Sequence, residues 1–268
     1  MNLIFDIDDT INNLSTYICN KQGIDINKYN EDNMKKSNLS KEEIEIISKE
    51  YDNAENYIKC KYYLKEDLFK KLAENNVIVF YSKCIKLEHI QAKHNKLEEH
   101  LDMKIKTLDK FDKDNIKNGV YFLPLCVECF EPKPSLILNF NDYIFEDNVS
   151  NLEKYDNNIL SPNKVLITQS FNKNVDLSKD IYRIENHNDL IMFLEKINKI
   201  TYKEAKRYKN KKEISKMGIF FSLVFLLTQF EDFHNHLSLK DTIIRFFIAI
   251  IIFFMCQFLE NKNNEIKN

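Results

Sequence analysis

Residues 2–10 read NLIFDIDDT: a short apolar run, then aspartate at 6, 8 and 9, then threonine. An unbroken apolar run of this kind marks a strand covered on both faces. The acids that end it are a different matter. Asp6, Asp8 and Asp9 repel one another unless a cation or a phosphoryl group lies between them. The fold is decided by whether the same strand pattern recurs downstream, and it does.

VIVFYS (77–82), VYFLPL (120–125), YIFED (143–147) and KVLIT (164–168) are further apolar strand candidates. Helical patterns separate them. From 11 to about 76 the spacing is helical: SKEE (40–43) has capping-box form, and Ile44, Ile47, Tyr51 and Ala54 follow at helical intervals. Residues 65–76, 85–101 and 188–200 also read as helices, the second on Ile85, Ile90, His94, Leu97 and Leu101. Apolar strands alternating with helices predict an α/β fold, a Rossmann-like parallel sheet flanked by helices. The helical insertion after the first strand, about residues 14–72, is predicted to sit as a cap over one end.

Composition narrows the function classes. Hydrophobic content of 44% beside 30% charged residues is that of a folded chain. A net charge of −2 recommends neither a nucleic-acid binder nor an acidic scaffold, and no nucleic-acid partner is expected. With 3 glycines in 268 residues, a glycine-rich phosphate loop is excluded. The six cysteines are scattered, and the first apolar run is too short for a secretory leader, so reduced thiols are expected. CVEC (126–129) has zinc-ligand spacing without a second pair, and core or loop thiols are the better reading. The six histidines show no ligand spacing and read as structural.

Beyond residue 198 the character changes. Residues 199–216 are strongly basic, with only Glu204 and Glu213 opposing. Two apolar runs follow at 217–230 and 242–259, the second carrying Arg245 near its start. They predict a C-terminal hydrophobic helical hairpin over 217–260 that spans a membrane. The basic flank then places both termini on the cytoplasmic side and favours anionic headgroups. A soluble hairpin used in oligomerisation, or an in-plane anchor, is the other reading.

Ligands of open α/β sheets bind at the carboxyl ends of the strands. Reactive side chains stand there: Asp6, Asp8 and Thr10 after the first strand, Ser82 after the second, Lys133 in the loop after VYFLPL, and Glu146 with Asp147 after YIF. One chemistry uses them all. A carboxylate attacks phosphorus, and a hard cation such as Mg²⁺ neutralises the acids. A lysine and hydroxyls hold the phosphoryl oxygens while a second carboxyl protonates the leaving group.

LIFDIDDT resembles the first motif, D-x-D-x-[T/V], of the haloacid dehalogenase-like (HAD) phosphohydrolases. Ser82 matches the second motif, Lys133 takes the third, and IFED resembles the acidic fourth. The likeness covers roughly residues 1 to 197 and is strongest to the 5′(3′)-deoxyribonucleotidases, through the helical insertion and SKCIK (82–86). It implies Asp6 as nucleophile and metal ligand, and Asp8 as general acid/base with its carbonyl on the metal. It further implies Asp147 as metal ligand, and Thr10, Ser82 and Lys133 as phosphate contacts. Mg²⁺ is the implied cofactor, and a small phosphorylated compound, a nucleotide first, the implied substrate.

The departures are specific. The fourth motif is Glu-Asp rather than Asp-Asp, which places Glu146 either behind the metal or on it. Lys83 and Cys84 stand where Ser-Pro is common, and the stretch between Lys133 and the acids is long, so Lys83 rivals Lys133. Asp9 has no role in this reading. A sugar, lipid or protein phosphate is the alternative substrate, and a catalytically silent, membrane-bound binding module the alternative class. Oligomerisation is left open.

Overall fold

In the computed structural model, residues 1–29, 38–112, 115–126, 138, 140–155 and 161–234 are described, with side chains as far as residue 210. Among them seven strands form one sheet: β1 (Asn2–Asp6), β2 (Val77–Cys84), β3 (Lys106–Thr107), β4 (Gly119–Cys126), β5 (Tyr143–Glu146), β6 (Asn163–Ile167) and β7 (Ile181–Ile184). Every pairing is parallel, in the order β3-β4-β2-β1-β5-β6-β7. The five strands predicted from apolar runs are all present, with ends within two residues of expectation. β3 is two residues long, and in β7 (IYRI) Tyr182 is exposed, so neither carries a continuous apolar signal.

Strand residues alternate between two cores. Leu3, Phe5, Ile78, Phe80, Val120, Phe122, Phe145 and Val165 belong to one cluster; Ile4, Val77, Val79, Leu123, Ile144 and Leu166 belong to the other. That division is the period of two expected of strands covered on both faces. At the centre of the first cluster, Phe5 stacks on Phe145 with ring centroids 4.3 Å apart and lies 5.5 and 5.7 Å from Phe69 and Phe80.

The helices are α1 (Leu14–Gln22), α2 (Lys41–Tyr51), α3 (Ala54–Lys59), α4 (Glu66–Asn75), α5 (Leu87–Leu101), α6 (Val149–Glu153) and α7 (His187–His234). α2 starts at the predicted capping box: Ser40 Oγ accepts from the Glu43 amide at 3.1 Å, and Glu43 Oε2 accepts from the Ser40 amide at 2.6 Å. α1 stops at Gly23, whose φ of 69° is the left-handed conformation that ends helices at glycine. The predicted insertion is therefore helical. Ile18, Ile47, Tyr57, Tyr62 and Phe69 share a single core with Leu3, Phe5 and Phe80. The insert and the sheet fall within one compact unit, Met1–Lys199.

From Ile200 the chain forms a second unit, entered along α7, which runs through the basic stretch and the first apolar run. Among the described residues no helix is long and apolar enough to cross a membrane. The second apolar run, 242–259, lies outside the described residues.

Strand order decides where a ligand can sit. From β1 the chain builds outward through β2 to one side, and β5 returns to the other. The switch point is thus the boundary between β1 and β5, where the loops leaving adjacent strands diverge and open a crevice. The phenylalanine cluster beneath this edge has a measurable weight. Phe80→Ala is expected to lower unfolding free energy by about 3–5 kcal/mol in urea titration, with the slope unchanged. A loss below about 1 kcal/mol would show that the ring is not packed as described.

Candidate functional site

Asp6 ends β1, Glu146 ends β5, and Asp147 follows it, so two neighbouring strands deliver three carboxyl groups to the switch point. All three residues are buried, and one oxygen from each lies within 4.8 Å of the others. A set of buried carboxylate oxygens this close suits a hard cation that takes oxygen ligands. Glu146 belongs to this set together with Asp6 and Asp147. Thr10 is fully buried, and its Oγ1 donates to Asp147 Oδ1 at 2.9 Å. Asp147 is steadied a second way, by Asn172 Nδ2 donating to its carbonyl at 2.7 Å.

A second group stands on the β2 side. Ser82 Oγ lies 3.4 Å from Asp8 Oδ2, the loosest contact of the set. Between them comes a residue that the strand-end reading did not find. Lys93, on α5, is wholly buried; its Nζ donates to Asp8 Oδ2, to Ser82 Oγ at 2.7 Å and to the Lys83 carbonyl at 3.3 Å. The ammonium also lies 4.5 Å from the ring centroid of Tyr57, on α3 of the insert. A buried lysine is stable only if paired, and here Asp8 supplies the opposite charge. Asp8 keeps its other oxygen, Oδ1, buried and without a hydrogen-bond partner among the described residues.

Lys83, one of the two lysines expected at phosphate, is exposed, and it meets Lys93 only through its carbonyl. Lys133, the other, lies outside the described residues, as does Cys129 of CVEC. A signal for Lys93 was present in the sequence. His89, Lys93, Leu97 and Leu101 recur every four residues and form the buried stripe of α5. A lysine inside such a stripe needs a partner on the element it covers.

Asp9 is also more than a bystander to the fold. It is fully buried with a left-handed φ of 58°, and its carboxylate accepts from the Ser15 amide at 2.9 Å and from Ser15 Oγ. Burial, and then the charge of Asp147, push its carboxyl well above the usual carboxylate range, with the Ser15 hydrogen bonds opposing. Cys60 is free, and burial pushes its thiol up to about 12, ahead of the charges of Asp8 and Asp9. A thiolate nucleophile at that position is therefore excluded at neutral pH. Among the described residues, ring nitrogens of His89, His94 and His100 meet the carbonyls of Asp52, Ile105 and Leu64.

Comparison with known proteins finds no family model that matches the chain and no curated protein similar to it.

His187, the first residue of α7, stacks on Tyr63 with ring centroids 3.6 Å apart. Burial lowers its pKa to about 4, opposed by a hydrogen bond with the Thr10 backbone. The unfolded chain thus takes up a proton near 6.5 that the native ring refuses until about 4. Stability is full above that window and falls as pH drops through it. After allowing for partial exposure, the loss is expected to be about 1–2 kcal/mol. His187→Phe, which keeps the stack, should flatten that part of the stability–pH profile measured by denaturant titration. An unchanged difference between pH 7 and pH 4 would refute the assignment.

Proposed function

We propose that residues 1–198 are a Mg²⁺-dependent phosphomonoester hydrolase of the HAD type. The observation that carries the reading is the meeting, at one switch point, of a buried carboxylate triad with an Asp8–Ser82–Lys93 cluster. The likeness of FDIDDT and IFED to HAD motifs supports the same reading, and its nucleotidase branch favours a nucleotide substrate.

In this mechanism Asp6 attacks phosphorus, the P–O bond to the alcohol breaks, and the leaving oxygen takes a proton from Asp8, carried on Oδ1 while Oδ2 accepts from Lys93. An aspartyl phosphate remains on Asp6. Asp8, now ionised, accepts a proton from water as that water attacks phosphorus; the bond to Asp6 breaks and inorganic phosphate leaves. Lys93 and Ser82 hold the non-bridging oxygens, the task that the sequence reading gave to Ser82 with Lys133 or Lys83. Thr10 acts on the phosphate region through Asp147 rather than as a direct contact. Asp6, Glu146 and Asp147 would hold Mg²⁺, whose charge would offset that of the acids and the phosphoryl group.

Release of phosphate from p-nitrophenyl phosphate is expected to require Mg²⁺, to stop on chelation and to vanish in Asp6→Asn. Lys93→Met should lower kcat/KM by about 100- to 1000-fold, as loss of one oxyanion donor does. No turnover over a broad phosphomonoester panel with Mg²⁺ would overturn the enzymatic reading and favour the binding module.

The basic stretch at 199–216 followed by apolar runs at 217–230 and 242–259 supports attachment of this domain to a membrane through its C-terminal segment. Alkaline carbonate extraction of membranes carrying the full chain should leave it in the pellet. Its release to the supernatant would contradict insertion.

A further inference from the structure

Asp9 adopts a left-handed backbone that ordinarily favours glycine, yet it is not glycine. All its polar groups are engaged, and the partners come from separate parts of the unit. Its amide donates to Asn12 Oδ1 at 2.9 Å, and its carbonyl accepts from Gln169 Nε2 in the loop after β6. Its carboxylate accepts from the amide and the hydroxyl of Ser15, on α1. There the path continues into the insert. Ser15 Oγ is hydrogen-bonded to the Tyr51 hydroxyl at the end of α2, and Tyr51 meets the Tyr29 hydroxyl at 2.9 Å. Tyr29 in turn packs edge-on against Phe171, near Gln169 in the loop after β6. The hydroxyl chain and the Gln169 contact therefore approach Asp9 from two sides.

We propose that Asp9 is a positioning residue that ties the catalytic turn to the helical insert through Ser15 and Tyr51. The consequence lies with its neighbours. Asp8 precedes it with the acid/base carboxyl, and Thr10 follows it with the hydroxyl on Asp147. A rotation about the Asp9 backbone would displace Asp8 relative to Thr10. The tether holds that rotation, and it makes the placement of Asp8 depend on helices some forty residues downstream (α2 ends at Tyr51). This rests on the phosphatase reading for its kinetic outcome but not for its structural one.

Asp9→Gly separates the tether from the turn. Glycine accepts a φ of 58° without strain, so a residue retained only for its backbone would be replaced at no cost or with a gain. The tether instead predicts faster amide hydrogen exchange at Ser15, and a kcat lower by about 10- to 100-fold with KM little changed. Asp9→Asn, which keeps an acceptor for the Ser15 amide, should recover part of both. Tyr51→Phe cuts the path in the insert and should move exchange at Ser15, and kcat, in the same direction by less. Normal exchange and kcat in both Asp9→Gly and Tyr51→Phe would overturn the proposal, as would faster exchange with kcat untouched. Should Asp9→Gly fail to fold, Tyr51→Phe decides by the same two readouts. If the wild-type chain hydrolyses no phosphomonoester, the phosphatase reading fails, and exchange at Ser15 in the variants still decides whether the tether exists.

Discussion

Electrostatic repulsion among acids is the constraint around which this edge of the sheet is built. Asp6 and Glu146 end β1 and β5, and Asp8, Asp9 and Asp147 lie in the turns that follow them. At a separation of 4.8 Å, two full charges in a medium of effective dielectric about 20 repel by about 3 kcal/mol. Each acid meets that cost differently. Asp8 is paired with Lys93, Asp9 is held by Ser15 with its proton affinity raised, and Asp147 takes a hydroxyl from Thr10. Asp6, Glu146 and Asp147 share a geometry that suits a cation.

The fold makes this arrangement attainable. β1 lies in the middle of a parallel sheet, and its neighbours on either side are entered from opposite directions of chain growth. Loops leaving β1 and β5 therefore part at their carboxyl ends, while β2 brings Ser82 alongside. The apolar support is the phenylalanine stack of Phe5 and Phe145, one residue back from Asp6 and Glu146. Rigid packing directly behind two catalytic candidates limits how far their carboxylates can drift apart under mutual repulsion.

Much of this was legible in the residues, and the reasons are physical. Central parallel strands are covered on both faces, so NLIF, VIVFYS and YIF stand out as unbroken apolar runs, and the acids ending two of them mark the site. β3 is too short to carry any pattern, and β7 exposes Tyr182 at the sheet margin. Lys93 escaped notice for a different reason. A charged residue on an amphipathic helix is ordinarily solvated; its place in the stripe of His89, Leu97 and Leu101 hints at burial, and its partners on β2 and in the first loop establish it. Asp9 has no role in the sequence reading because glycine often fills its position in motifs of this kind. Its role depends on Tyr51 and Tyr29, residues that no local spacing connects to it.

In the proposed mechanism Asp6 carries the phosphoryl group. Acid quench during turnover with an isotopically labelled phosphomonoester, followed by peptide mapping, tests it directly. An acid-stable, base-labile phosphoryl label is expected on the peptide that contains Asp6, and none in Asp6→Asn. Turnover without covalent label, or a label on any other residue, would contradict it.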